Sequence, residues 1–151
     1  MQILVTGGLG YIGSHTAVEL ISKGFDVVIV DDLSNSKLNV FDKIKKITGK
    51  NPKLEIKDLK DKIEVVKLFR DYDFDGIIHF AAHKSVNESV NFPEKYYKNN
   101  IGSLENLLEN IDEKMHFIFS SSCTVYGQAD KMPIKEDFPN KKSESPYGET
   151  K

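Results

Sequence analysis

The chain has 151 residues, 21 basic against 23 acidic side chains spread along its length, and a single cysteine, Cys123. The length predicts one domain. The dispersed, nearly balanced charge argues against a basic face for nucleic acid, and the lone cysteine excludes an internal disulfide framework.

No apolar run reaches the roughly 20 residues of a membrane-spanning helix. Met1 and Gln2 lead directly into "ILVTGG", with no room for a secretory leader. The expected setting is the cytoplasm, without a membrane partner. A first strand is read at "ILVT" (3–6), and "TGGLGYIGSH" follows at once. Gly8, Gly10 and Gly13 fit G-x-G-x-x-G between a strand and a helix, the context that pattern needs. One glycine permits the tight turn, one lets backbone approach a pyrophosphate, and one lets helix and strand pack closely. The phosphates then meet unpaired N–H groups at the helix N-terminus.

Gly24 sits where this first helix would end. The second strand is "DVVIV" (26–30), and Asp31 follows it, eighteen positions after Gly13. A carboxylate there can accept from both hydroxyls of an adenosine ribose and would repel a 2′-phosphate, which favours NAD over NADP. A third strand is read at "KLEIK" (53–57), then a helix from Leu59, Ile63, Val66 and Phe69 at spacings of four, three and three. The fourth strand is "GIIHF" (76–80). Behind Pro93, Tyr97, Ile101, Leu104 and Leu108 trace another helix face, and "FIFSS" (117–121) is the fifth strand. "KNPK" and "DKMPIKEDFPNKKSES" read as loops. Short continuous apolar runs suit strands buried on both faces of a parallel sheet. Strand–helix alternation of this order predicts an α/β fold, a doubly wound parallel sheet of Rossmann type.

The fifth strand runs into Ser120, Ser121 and Ser122, placing hydroxyls at the carboxyl edge of the sheet, where open α/β folds bind ligands. The chain ends "SPYGETK". Ser145 and Pro146 suit an N-cap and a first helical residue, so Tyr147 and Lys151 lie one turn apart on one helix face. A free phenol titrates near pH 10, too high for a base near neutrality. A nearby ammonium, the positive helix end and a bound nicotinamide cation all favour phenolate, making a tuned general base.

Together these features resemble the extended branch of the short-chain dehydrogenase/reductase superfamily. "GGLGYIGSH", "DDLSNS", "FAAHKSVNESV", "YYKNN", "SSSCTVYG" and "SPYGETK", in that order across the chain, resemble the UDP-glucose 4-epimerase family. The resemblance implies NAD as cofactor, with Gly7, Gly10 and Gly13 in the turn and Tyr11 and Ile12 presenting backbone to the pyrophosphate. It implies that Asp31, Asp32, Leu33, Ser34, Asn35 and Ser36 surround the adenosine ribose and that Asp58 and Leu59 flank the adenine. Phe80, Ala81, Ala82, His83 and Lys84 would pass under the cofactor, with Asn99 nearby. Ser122 would assist at the sugar hydroxyl, Tyr147 would be the base and Lys151 its partner. The implied reaction is reversible epimerisation at C4 of a UDP-hexose, between UDP-glucose and UDP-galactose, through a 4-keto sugar. A homodimer through helices like those at 93–110 is implied as well.

Cys123 is expected to be a buried small residue. His15, His79, His83 and His116 show no paired ligand spacing, so no metal site is expected. Two rival readings stand. A nucleotide-sugar 4,6-dehydratase or decarboxylase of the same branch would place acidic residues where Cys123 and Thr124 stand, and a non-catalytic dinucleotide-binding module need not keep Tyr147 and Lys151. The family continues past this point into segments that finish the sheet and grip the sugar. Residues 1–151 are therefore expected to be an NAD-binding Rossmann domain truncated at the Tyr-x-x-x-Lys helix, a poor catalyst alone.

Overall fold

A computed structural model describes residues 1–151. Each of the five apolar runs becomes a strand within two residues of its expected bounds: β1 (Gln2–Thr6), β2 (Asp26–Asp31), β3 (Lys53–Ile56), β4 (Gly76–His79) and β5 (His116–Phe119). All neighbouring pairs are parallel, in the order β3-β2-β1-β4-β5. The helices are α1 (Tyr11–Ser22), α2 (Asn39–Thr48), α3 (Lys62–Asp71), α4 (Val86–Asn91), α5 (Pro93–Tyr96), α6 (Gly102–Leu108) and α7 (Pro146–Glu149). A π-helical turn, Tyr97–Ile101, joins α5 to α6, and a 3-10 turn, Cys123–Tyr126, follows β5.

Alternate strand side chains feed two cores. Ile3, Val5, Val27 and Ile29 pack with Ala17 and Ile21 of α1 and Ile44 of α2. Leu4, Val28, Val30 and Ile77 pack with Val65 and Leu68 of α3 and Leu107 of α6. Burial on both faces explains why the strands read as continuous apolar runs, and each such side chain contributes about 1.5–3 kcal/mol.

Local signals set the helix ends. Gly24 takes φ +89 and the Phe25 N–H reaches the Leu20 carbonyl, closing α1. The Asp61 carboxylate accepts from the Ile63 and Glu64 amides to start α3. Pro93 opens α5, and Ser145 Oγ accepts from the Gly148 N–H at 3.2 Å to cap α7, with Pro146 next. No helix is long and apolar enough to cross a membrane.

Three expectations change. In α3 the inward residues are Val65 and Leu68, while Ile63 and Val66 are 67% and 47% exposed. Leu59 precedes the helix, so its spacing to Ile63 carries no helical phase. Between 93 and 108, Tyr97 and Leu108 face outward, and the inward row is Tyr96, Asn100, Ser103 and Leu107. This row is half polar and so shows no apolar period; its hydroxyls and amide are buried against hydrogen-bond partners, as buried polar groups must be. Cys123 is exposed, because β5 stops at Phe119 and the cysteine opens a turn outside the sheet.

Candidate functional site

The chain runs outward from β1 through β2 to β3, then returns to place β4 on the other side of β1. Such a reversal opens a crevice at the carboxyl ends of the strands. A cavity of about 410 Å³ lies there, lined by residues that follow all five strands and by α7.

The turn after β1 forms its floor. Gly7 has φ +63, and a Cβ there would stand 2.8 Å from the Ala81 nitrogen. A Cβ on Gly13 would overlap the Gly7 carbonyl oxygen. Gly10 caps α1 without a side chain, and the amides of Tyr11, Ile12 and Gly13 have no partner in the chain. Gly7, Gly10 and Gly13 line the cavity, with Tyr11 and Ile12 beside them. Gly8 does not. A Cβ there would meet the Ile29 side chain at 2.8 Å, so this glycine serves strand packing. The spacing that faces the cavity is G-x-x-G-x-x-G, not the 8-10-13 pattern.

Asp31 closes the adjacent wall and is 8% exposed. Its Oδ2 accepts from the Leu9 N–H at 2.9 Å, and its Oδ1 accepts from the Leu33 N–H at 3.0 Å and from Ser36 Oγ at 2.6 Å. A carboxylate offers about four lone-pair sites, so one on Oδ2 remains. Leu33, at φ 60, turns the loop, packs toward the core and does not line the cavity. Asp32, Ser34, Asn35 and Ser36 do line it. Burial pushes the Asp32 carboxyl up, but hydrogen bonds from Ser34 and the nearby Lys60 charge hold it below its ordinary value.

Asp58 and Leu59 contribute after β3, and Phe80, Ala81, Ala82, His83 and Lys84 after β4. Asn99 joins them from the π turn, and Tyr147 and Lys151 stand on the same cavity from the α7 side. Ser122 is outside this lining; its Oγ caps the 3-10 turn, accepting from the Thr124 N–H at 3.3 Å and from Thr124 Oγ1 at 3.0 Å. Val30, Lys57, Ser103, Ser120 and Ser121 also line the cavity without having been singled out for cofactor contact. Lys57 ended the predicted third strand and Ser120–Ser121 ended the fifth, so strand-end position was the available signal.

Below α7, His79 faces Thr6 across β1 and β4. The Ala81 N–H donates to Thr6 Oγ1 at 3.3 Å, and the Thr6 hydroxyl and His79 Nδ1 share a hydrogen bond of 2.7 Å. The ring stacks with Phe117 and Phe119. Burial, with the Lys151 charge adding to it, pushes its pKa down to about 4. Lys151 Nζ lies 4.9 Å from the centroid of the Phe119 ring, and burial lowers the pKa of this ammonium. An aromatic face is a favourable seat for a cation withdrawn from water.

The His79 shift has a measurable consequence. The unfolded chain takes up a proton near pH 6.5 and the native state only near pH 4. Stability is therefore full above pH 6.5 and falls as pH drops to 4, by about 3 kcal/mol. Urea unfolding of the wild type and of His79→Leu at pH 7 and pH 4 checks this. The variant is expected to lose about 3 kcal/mol less between the two, and parallel losses would refute the assignment.

In the π turn Asn99 lines the cavity and the next residue, Asn100, does not. Asn100 is 3% exposed and uses all four of its hydrogen-bonding positions. Its oxygen accepts from the His83 N–H at 2.8 Å and from Asn99 Nδ2 at 3.0 Å. Its NH₂ donates to the His83 carbonyl at 3.0 Å and to Thr150 Oγ1 at 2.9 Å. The Tyr97 hydroxyl also donates to Glu149. The helix expected to carry both Tyr147 and Lys151 ends at Glu149, leaving Lys151 just beyond its cap, and this short segment is tied to the one that follows β4.

Residues 4–151 match a family model described as GDP-mannose 4,6 dehydratase. The chain belongs to that family. Among its relatives, the UDP-glucose 4-epimerase of Bacillus subtilis (strain 168) is 46% identical over 153 residues, which cover 100% of this chain and 45% of the relative. UDP-glucose 4-epimerase uge1 of Schizosaccharomyces pombe is 47% identical over 155 residues, covering 99% and 43%. The crystal structure of the Bifidobacterium longum UDP-glucose 4-epimerase in complex with NAD+ and UDP is similar at a TM-score of 0.96 and 40% identity, over 99% of this chain and 45% of that one. The chain thus spans a little under half the length of these family members. The likeness to UDP-glucose 4-epimerases carried by the six motifs extends along the whole chain.

Proposed function

We propose that residues 1–151 form the NAD-binding Rossmann domain of an enzyme that epimerises a UDP-hexose at C4, interconverting UDP-glucose and UDP-galactose. The observation that carries this reading is that Tyr147 and Lys151 share one cavity with the glycine turn and Asp31. The cavity suits NAD on its own chemistry. The free amides of Tyr11, Ile12 and Gly13 stand at the positive end of α1, where a pyrophosphate would sit. The space above Gly7 and Gly13 exists because neither carries a Cβ. The remaining Asp31 lone pair would accept a ribose hydroxyl, and its charge would repel a 2′-phosphate.

NAD, when bound, supplies a reversible hydride acceptor. Tyr147 removes the proton of the sugar 4-hydroxyl and returns it after the 4-keto sugar has turned over. Lys151 is assigned as the partner of Tyr147, and Lys84 would meet the ribose or phosphate side of the cofactor. Thr124 donates to Ser122, so the Ser122 hydroxyl keeps its own proton to give to the sugar oxygen. Asp58 and Leu59 flank the adenine, with Asn99 beside them. More than half of each relative lies outside the matched segment. We assign the grip on the UDP-sugar to such further segments and expect residues 1–151 alone to hold NAD but to turn over poorly. The outward Tyr97 and Leu108 support a homodimer through helices at 93–110 in the full-length protein, and the exposed Cys123 suits the reducing cytoplasm.

The family description also names a dehydratase. Elimination needs an acid to protonate the leaving hydroxyl, and the segment "SCT" at 122–124 offers none.

The test is retention of NAD by the purified chain, read by mass and absorbance, then addition of UDP-glucose to a full-length form. NAD in preference to NADP, followed by C4 inversion without loss of water, is the expected result. A chain that takes up neither dinucleotide, or water loss in place of inversion, would sink the reading.

A further inference from the structure

We propose that Lys60 is a positioning residue for the adenosine end of the cofactor, clamping Asp58 and Asn99 together across the cavity wall. The inference rests on the NAD-binding reading above. Lys60 Nζ lies 3.0 Å from Asp58 Oδ1 and donates to Asn99 Oδ1 at 3.0 Å. One partner follows β3 and the other belongs to the π turn, yet both line the cavity. A surface lysine with one carboxylate partner contributes little. This one is held at both ends. Asn106 Nδ2 donates to the Leu59 and Lys60 carbonyls at 2.8 and 3.2 Å, fixing the backbone from α6, and the Lys60 side chain is only 30% exposed.

The clamp sets which atoms the wall offers. Asp58 Oδ1 accepts from both the Lys60 N–H and the ammonium, which leaves Oδ2 free as an acceptor for an amino group. With its oxygen held by Lys60, the Asn99 amide gives one N–H to Asn100 and keeps the other for the cavity. Without the ammonium, nothing in the chain holds the Asn99 oxygen, and the amide is left with its single bond to Asn100. Burial, then the Lys95 charge, lower the His83 pKa with Lys60 adding to them, and Lys60 also adds to the Ser34 hydrogen bonds that hold Asp32 below its ordinary value against burial. A cation at this place is thus sensed on the ribose wall and on the segment after β4.

The experiment is calorimetric titration of the full chain and its Lys60→Met and Lys60→Arg variants with NAD and with ADP, alongside thermal unfolding. Lys60→Met is expected to weaken NAD and ADP by the same factor, about tenfold, with Tm within about 2 °C of the wild type. Lys60→Arg, which keeps the charge, is expected to stay within about threefold. If Lys60→Met fails to fold, Lys60→Gln carries the same expectation. Unchanged affinity in the Met variant, or loss for NAD without loss for ADP, overturns the clamp. So does loss that arginine fails to restore. A wild-type chain that binds neither ligand overturns the NAD reading itself, and the clamp with it.

Discussion

Gly13→Ala is expected to abolish NAD retention and to lower Tm by about 2–12 °C. The added methyl would overlap the carbonyl oxygen of Gly7 and stand 2.8 Å from the Cα of Gly8. Both obstacles are backbone, so no side chain can swing aside. The helix must lift away from the turn, or the turn must open. Overpacking of this kind costs about 1–3 kcal/mol, and each kcal/mol moves Tm by roughly 2–4 °C at this chain length. Binding suffers more than folding, because the displaced amides of Tyr11, Ile12 and Gly13 are the groups a pyrophosphate would meet. Gly24→Ala is the control. Its φ of +89, unlike the helical backbone at Gly13, strains an alanine and costs stability, but a Cβ there meets nothing within 4 Å and the residue lies away from the cavity, so NAD affinity is expected to hold. Differential scanning fluorimetry with NAD titration separates the two. An alanine at 13 that keeps wild-type affinity would show that the turn does not bind the phosphates.

Tyr147→Phe is expected to lower kcat for C4 epimerisation by about 10²–10⁴-fold while leaving NAD bound, in any form of the protein that turns over UDP-glucose. General base catalysis contributes about that much, and phenylalanine keeps the ring against the cavity wall while removing the proton acceptor. The Ser145 cap and the Asn100–Thr150 contact hold α7 through groups the substitution does not touch. Retained NAD therefore distinguishes lost chemistry from lost structure. Near-normal turnover would remove Tyr147 from the base role, and loss of NAD would make it a wall residue.

The sequence carried the features whose chemistry is local. Strand ends, the glycine turn, Asp31 and the Ser145–Pro146 start of α7 are set by neighbours along the chain, and each stands where its pattern puts it. What escaped depends on contacts through space. In "GGLGYIG" two glycine triplets overlap, 7-10-13 and 8-10-13, and only the approach of Ala81 and Ile29 decides which one faces the cavity. The row of Tyr97, Ile101, Leu104 and Leu108 has helical period, but period says nothing about which row turns inward once Asn100 and Ser103 find partners. Lys57 and Lys60 read as scattered surface charge because their partners, Glu64 and Asn99, lie 7 and 39 residues away. His79 showed no ligand spacing, and its aromatic stack with β5 cannot be seen in one dimension.

The Asp31 carboxylate does two jobs, since the same oxygens that face the cavity hold the Leu9, Leu33 and Ser36 donors. Anyone redesigning this protein toward a phosphorylated dinucleotide would begin by swapping that residue for a neutral or basic one, and would thereby loosen the loop being re-tooled. Preference and scaffold are welded together here, so a successful exchange must supply new acceptors for three orphaned donors at once. A lineage drifting toward the other coenzyme faces the same obstacle, one residue at a time.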